Sequence, residues 1–284
     1  VNGGGKVTVN SGEYSAVAIS TDSNAAQGTW VAYVMSSGGT LDIKGGTFNG
    51  TVAVTAAAAN ACGLICADTK AVVNIYEGTF TSNGAILDMR NNTGGLPNPV
   101  ATLYGGTFSA DPRVSGLYSS NLISVAEGYE VYQEDDLWKV GEEGIRSWTE
   151  FTEALATGET EFKLQADITY DANYQLQKAV TIDLNKYSMT LPMINIHTKT
   201  TVKNGTINGK VYARKNSDIV FDNVKFSGAV ADNLSTEGHL AIQGGCKSLY
   251  AKDCLFSPTS VSGSQTKPLS FEGGSTQMKF ENCE

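Results

Sequence analysis

The sequence is poor in charge and in long apolar runs, and each absence narrows the choice of protein class. Charged residues make up only 17% of the 284 residues. The longest apolar candidate, residues 51–67, is rich in alanine, interrupted by polar residues and shorter than the ~20 residues of a membrane-spanning helix. We therefore expect no membrane insertion in this segment.

Basic patches with interleaved aromatic residues are also missing, so nucleic acid is not an expected partner. The acidic balance is uneven along the chain. Residues 1–143 carry 6 Lys+Arg against 14 Asp+Glu, whereas residues 144–284 carry 14 against 15. This change indicates two modules, 1–143 and 144–284. Because the chain starts at Val1 without Met and stops within a strand pattern, we expect a piece of a longer protein whose second module continues beyond 284.

One turn is repeated along the first half. Its copies are GGTF at 45–48 and 105–108, EGTF at 77–80 and SGEY at 11–14. Their aromatic residues are 34, 32 and 28 positions apart, and such unequal periods suit a solenoid with variable loops rather than a propeller. Each turn follows a short alternating strand such as TLDIK. We expect glycine to adopt positive φ at each corner and the aromatic residues to stack in the core, one strand spacing of ~4.8 Å apart.

The second half repeats a different corner. The stretches TVKNGTING, VFDNVKFSG, YAKDCLFSP and KFENCE align on a column formed by Asn204, Asn223, Asp253 and Asn282. These residue types tolerate the left-handed conformation and bond turn backbone. The next column places Cys254 and Cys283 on successive repeats, where stacked thiols or a disulfide are both geometrically allowed; we favour thiols.

Two further elements separate these halves. The stretch GYEVYQEDDLWKVG predicts a hairpin around 134–136 that closes the first module. The stretch SWTEFTEALATG predicts one short helix near 147–157, with a capping box of Ser147 and Glu150 and a stop at Gly158. We expect the apolar face of this helix to cover the start of the second module.

Two groups of these stretches resemble known proteins. The segment from GGTFSADPRV to VAEGYEVYQEDDLWKV resembles the recurrent terminal unit of repeat-rich bacterial surface proteins. The segments FTEALATGETEFKLQADITY, VTIDLNKYSMTL, TVKNGTINGKV and IVFDNVKFSG resemble pectin-lyase-like proteins. The resemblance implies an all-β, right-handed parallel β-helix in two tandem modules. It does not select a function, since lyases, glycosidases, tailspikes and adhesins share this scaffold.

Catalytic candidates are few. Asp218 and Asp222 share one face of a strand and could act as paired carboxylates or hold Ca²⁺, but they also fit a solvated strand face. His239 could act as a base near Glu237, although we expect both it and His197, the only other histidine, to lie on the surface. We assign no catalytic cluster, no metal site and no cofactor, and no calcium-binding motif supports Ca²⁺.

Binding candidates are similarly sparse. Trp30 and Tyr33 could stack on sugar rings. However, strand alternation predicts that they point to opposite faces, and aromatic residues in a solenoid more often pack in the core. Cys62 and Cys66 lack zinc-ligand spacing, so we expect buried thiols.

The expected function is that of a non-enzymatic structural or adhesive segment of an extracellular or cell-surface bacterial protein, with glycan or a host surface as ligand. One alternative is a carbohydrate-active β-helix, either a polysaccharide lyase or hydrolase or a phage tailspike. Another is a filament or sheath subunit that self-associates through open β-helix ends.

Overall fold

The computed structural model describes residues 1, 3–18, 30–52, 63–90, 96–114, 120–228, 239–257, 268–272 and 276–284. Within these residues the chain is all-β apart from the helix α1 (Trp148–Thr157) and one short 3₁₀ turn, and most strand pairs are parallel. The all-β prediction is therefore confirmed. The chain divides into two compact units, Val1–Glu143 and Gly144–Glu284.

The strands of the first unit are β1 (Lys6–Val9), β2 (Glu13–Ala18), β3 (Ala32–Val34), β4 (Gly39–Ile43), β5 (Thr47–Val52), β6 (Gly63–Ala67), β7 (Ala71–Ile75), β8 (Thr79–Ser82), β9 (Ala85–Met89), β10 (Val100–Leu103), β11 (Gly106–Phe108), β12 (Ile123–Val125), β13 (Tyr129–Glu134) and β14 (Leu137–Glu142). They form three sheets in which a strand usually pairs with the third strand along the chain; β10, which pairs with β12, and the hairpin of β13 and β14 depart from this rule. One sheet has the order β1-β4-β7-β10-β12, another contains β2-β5-β8-β11, and the last is β3-β6-β9.

The repeated turn positions the core of this unit. Phe48, Phe80 and Phe108 are at most 2% exposed and form a stack with ring centroids 4.9 Å apart. Tyr14 continues the stack at 5.0 Å from Phe48 but is 36% exposed. The glycine two residues before each ring has positive φ, as at Gly78 with φ 132°. A side chain at Gly78 would strain this backbone and crowd the Phe80 ring. Both predictions for the corner are confirmed.

The predicted hairpin is also present. β13 and β14 are antiparallel and joined by Asp135 and Asp136, whose φ angles of 49° and 63° are typical of a type I′ turn. β14 pairs antiparallel with β11, so the hairpin covers the edge of the sheet that carries the phenylalanine stack. An edge that would otherwise be open to another strand is thereby paired.

The strands of the second unit are β15 (Glu161–Lys163), β16 (Ile168–Thr169), β17 (Tyr174–Leu176), β18 (Val180–Asp183), β19 (Ser188–Ile196), β20 (Lys199–Ala213), β21 (Asp218–Ser227), β22 (Leu240–Gln243), β23 (Ser248–Lys252), β24 (Leu255–Phe256), β25 (Leu269–Glu272) and β26 (Gln277–Glu281). They form three parallel ladders: β15-β18-β20-β21-β23-β26, β16-β19-β20-β21-β24 and β17-β19-β20-β22-β25. The long strand β20 contributes to all three, so it ties the ladders around one core.

The helix α1 packs at the β15 end of this core. Ser147 Oγ accepts the Glu150 N–H at 3.1 Å, and the Glu150 carboxylate accepts the Arg146 N–H at 2.6 Å. Gly158, with φ 102°, ends the helix as predicted. Phe151 is fully buried, and its ring lies 5.0 Å from that of Phe162 in β15. The amphipathic helix therefore shields the first strand from solvent.

The aligned column of Asn204, Asn223, Asp253 and Asn282 has the left-handed conformation throughout, with φ between 52° and 61°. Their side chains bond along the column: Asn223 Nδ2 donates to Asn204 Oδ1 at 3.4 Å, and Asn282 Nδ2 donates to Asp253 Oδ1 at 3.1 Å. The prediction of a polar corner is confirmed. Short side chains that tolerate positive φ replace glycine here.

The phenylalanine stack makes a stability prediction for the first unit. Phe80→Ala leaves a cavity between two buried rings, so we expect the free energy of unfolding in guanidinium chloride to fall by about 3–5 kcal/mol. Tyr14→Ala is the matched control, because it removes an exposed ring at the end of the same stack and should cost clearly less. Equal losses for the two variants would contradict the assignment of the stack as the core.

Candidate functional site

Asp222 belongs to a ladder of alternating charges. In the ladder β15-β18-β20-β21-β23-β26, one position per strand lies in register on the same face. These positions are Lys163, Asp183, Lys203, Asp222, Lys252 and Glu281. Asp222 thus lies between two lysines, and the charge of Asp253, followed by that of Asp222, raises the pKa of Lys252. The alternation removes the repulsion that like charges would suffer one strand apart. This is the solvated strand face of the sequence analysis, and its role is structural.

Asp218 has different partners. Its carboxylate accepts a hydrogen bond from Ser248 Oγ, and it lies in register with Lys199. Four strand residues place its Cα about 13 Å from that of Asp222, whereas glycosidase carboxylates lie about 5–9.5 Å apart. The structure does not bring the two aspartates together as a catalytic pair.

His239 is buried, contrary to our expectation of a surface histidine. Only 1% of it is exposed, and neither ring nitrogen has a hydrogen-bond partner in the described part of the chain. Burial lowers the pKa of its imidazole. His197, by contrast, lies at the surface and bonds Gln175 Oε1 at 2.7 Å. Glu237, the expected partner of His239, lies outside the described residues.

His239 is buried because the ladder that contains β19, β20 and β22 is covered on both faces. Where β20 pairs with β19 and β22, the face turned away from the apolar core carries Asn195, Lys210, Tyr212 and His239, all at most 6% exposed. Lys210 and His239 immediately precede the paired residues Val211 and Leu240, so they lie about one strand spacing apart. Alternating polar and apolar residues predict a solvated face, and tertiary packing overrides that prediction here.

Trp30 and Tyr33 point to the same side, so the predicted alternation is wrong for this pair. Trp30 precedes β3 instead of lying within it, and the two rings are 5.2 Å apart. Arg90 lies 4.6 Å from the Trp30 ring and forms an ion pair with the buried Asp88 at 2.6 Å. Tyr33 donates to Asp68 at 3.1 Å, and burial raises the pKa of its hydroxyl to about 12. These rings are built into a polar cluster that packs the first unit.

The described cysteines are free thiols. Burial raises the pKa of Cys66 to about 12 and that of Cys254 to about 11, so both stay protonated at neutral pH. Cys283 follows Cys254 in the expected column, and its sulfur contacts the Ala251 carbonyl at 3.5 Å. Cys62 lies outside the described residues. Protonated, packed thiols are poor nucleophiles and poor metal ligands.

A column of tyrosines, of which Tyr76 is exposed and Tyr104 and Tyr129 are half-buried, forms a corner of the first unit and was missed by the sequence analysis. The rings of Tyr76 and Tyr104 stack at 4.7 Å, with an interplanar angle of 12°. Tyr129 meets Tyr104 edge-on at 6.3 Å, and Lys44 Nζ lies 5.8 Å from the Tyr76 ring centroid. Tyr76 is 40% exposed. The sequence could have predicted this column from position, because Lys44, Tyr76 and Tyr104 each immediately precede a repeated turn.

An open groove of about 420 Å³ adjoins this tyrosine corner. Its lining includes Tyr76, Tyr132, Glu77, Lys139, Thr79 and Thr107. Aromatic rings together with a carboxylate, an ammonium and hydroxyl groups are the mixture that orients a ligand with apolar faces and polar edges. A sugar ring has this chemistry. We therefore regard the tyrosine corner and its groove as the candidate site.

A larger groove of about 550 Å³ follows the asparagine column of the second unit. Its side chains are already bonded to one another, for example Asn204 Nδ2 to Asp183 Oδ1 at 3.2 Å. A ligand would have to replace these bonds, which offsets what it gains. Size alone therefore does not make this groove the better candidate.

In the described ranges, no three His, Cys, Asp or Glu side chains converge as a metal-binding group. No described helix is long and apolar enough to cross a bilayer. The chain matches no protein-family model, no curated protein and no solved structure. Function therefore has to be inferred from its own residues.

The buried histidine makes a pH prediction. Because its pKa in the folded chain is lowered below the ordinary value of 6.5, the unfolded chain binds a proton more readily. Stability contributed by neutral His239 is thus present above pH 6.5 and is lost as the pH falls through the folded-state pKa. We expect His239→Leu to flatten the decline of urea midpoints between pH 7.5 and 5, whereas the surface control His197→Leu keeps it. An unchanged slope in His239→Leu would show that this histidine does not titrate on unfolding.

Proposed function

We propose that each unit is a parallel β-helix, and that the chain is a non-enzymatic structural and adhesive segment of an extracellular or cell-surface bacterial protein that binds glycan. The observation that carries this proposal is the exposed Tyr76, stacked on Tyr104, beside a polar groove. The fold, the stiffness and the ligand chemistry are supported by separate features.

Strand order supports the β-helix. In the first unit the pairs β1-β4-β7-β10, β2-β5-β8-β11 and β3-β6-β9 recur at intervals of three strands, so each group of three strands makes one turn of a winding chain. In the second unit, β20 to β26 keep parallel register through successive ladders. Glycine and asparagine columns recur where the chain changes direction. Repetition of this kind suits a solenoid, in which each turn contacts its neighbours.

Continuous ladders support a mechanical role. Every strand in a ladder is hydrogen-bonded to the next, and bending a unit would distort many bonds at once. The stacked phenylalanines and the alternating charges add side-chain contacts between the same neighbouring strands. Such a scaffold holds surface groups at fixed spacing, which is what adhesion to a repeating polymer requires.

The tyrosine corner supports glycan as the ligand. Tyr104 packs against one face of Tyr76 and Lys44 lies over the other, so this exposed ring is held in place, offers its edge to the groove and loses little side-chain entropy on binding. Glu77 can accept from sugar hydroxyls, and Lys139, although paired with Glu134, keeps two further ammonium hydrogens that can donate to them. Thr79 and Thr107 add hydroxyl groups along the groove. The resulting site suits a neutral or weakly polar sugar face.

Removing the ring tests this proposal. We expect Tyr76→Ala to weaken binding to a glycan identified on a glycan array by about 10-fold or more, because it removes the aromatic side chain that lines the groove. Tyr250→Ala is the matched control: this tyrosine of the second unit also lies beneath a lysine, with Lys279 Nζ 5.0 Å from its ring, but it does not line the groove.

Binding is measured by isothermal titration calorimetry, and circular dichroism verifies that each variant remains folded. A wild-type chain that binds no glycan on the array, or a Tyr76→Ala variant with wild-type affinity, would refute this assignment. New reducing ends in the glycan after incubation would refute the non-enzymatic role.

A further inference from the structure

Arg214 differs from the other arginines of the chain. Arg90 forms an ion pair with Asp88, Arg113 forms one with Asp111, and Arg146 donates to the Gly144 carbonyl at 3.1 Å. Arg214, just after β20, has no carboxylate partner among the residues that the structure describes. A guanidinium that has no carboxylate partner and is held in one position can bind an anion from outside the chain.

The guanidinium of Arg214 is held on a buried base. Its Cζ atom lies 3.6 Å from the centroid of the Tyr212 ring, which is only 6% exposed. Its Nε donates to Asn195 Oδ1 at 2.7 Å, and Asn195 is fully buried. Stacking fixes the plane of the guanidinium, and the Nε bond fixes its rotation. The two Nη groups make no hydrogen bond within the described ranges.

The immediate neighbours favour an anion. In register, Arg214 lies between His197 of the β19 side and Gln243 of β22, and the next residue is the exposed Lys215. Gln243 Oε1 accepts the Lys215 N–H at 3.2 Å, so its amide nitrogen remains a donor. The strand register thus places an amide donor beside Arg214, and an exposed lysine follows it in the chain.

We propose that Arg214 is the centre of an oxyanion-binding site on the second unit, which takes a carboxylate or sulfate group carried by an oligosaccharide. The Nη groups donate two parallel hydrogen bonds to two oxygens of the anion, while Lys215 adds charge at the rim. Guanidinium geometry matches this bidentate arrangement, and an ammonium does not. The site goes beyond the glycan site of the tyrosine corner, and it depends on none of its residues.

The experiment compares three tetrasaccharides of equal length by isothermal titration calorimetry: one built of uronic acids, one sulfated and one neutral. We expect at least one anionic tetrasaccharide to bind the wild-type chain at least 10-fold more tightly than the neutral one. Arg214→Gln should abolish this preference, and Arg214→Lys should lose most of it despite retaining the charge. The arm that binds identifies whether carboxylate or sulfate is the natural group.

Arg113→Gln is the matched control, since it removes the same charge from the first unit and should leave the preference intact. Thermal melting verifies that the Arg214 variants remain folded. Equal affinity for all three sugars, no binding by either anionic sugar, or an Arg214→Lys variant that binds like the wild type would overturn the proposal. Tyr76→Ala separates the two sites, because it should leave the anionic preference unchanged whether or not the tyrosine corner binds glycan.

Discussion

In-register parallel strand pairing is the constraint on which the rest of this structure depends. Strands that pair without offset place equivalent residues directly above one another, about 4.8 Å apart. Each column must therefore consist of residues that tolerate close neighbours of their own kind. Phenylalanines satisfy this in the core by stacking, asparagines satisfy it at a corner by amide bonding, and charged residues satisfy it by alternating in sign.

The two units meet the same corner requirement with different chemistry. In the first unit glycine supplies positive φ, and a bulky ring two residues later fills the core. In the second unit asparagine or aspartate supplies positive φ, and its side chain bonds the next member of the column. The glycine corner leaves the preceding position free for Tyr76 and Tyr104, whereas the asparagine corner uses its own polar groups. This difference explains why the smaller groove is the better candidate for a ligand.

Groups that suggested catalysis are used by the fold. Asp222 balances neighbouring lysines, Asp218 bonds Ser248, and burial disfavours the charged form of His239. Rigid columns are better suited to recognition, since a side chain supported by its neighbours loses little freedom when a ligand binds. Tyr76 supported by Tyr104 and Arg214 supported by Tyr212 are both arrangements of this kind.

Features that depend on local chemistry follow from the amino-acid sequence alone. Glycine and asparagine corners, the phenylalanine column, the capped helix and the hairpin each follow from residues close together in the chain. Long-range packing sets which columns are exposed, which ladders are buried on both faces and which side chains meet across strands. Trp30 meets Arg90, His239 is buried beside Lys210, and Arg214 stacks over Tyr212 against Asn195 because of pairing between segments distant in sequence or packing on a second face. Hydrophobic periodicity records one buried face per strand, so it carries no information about a second.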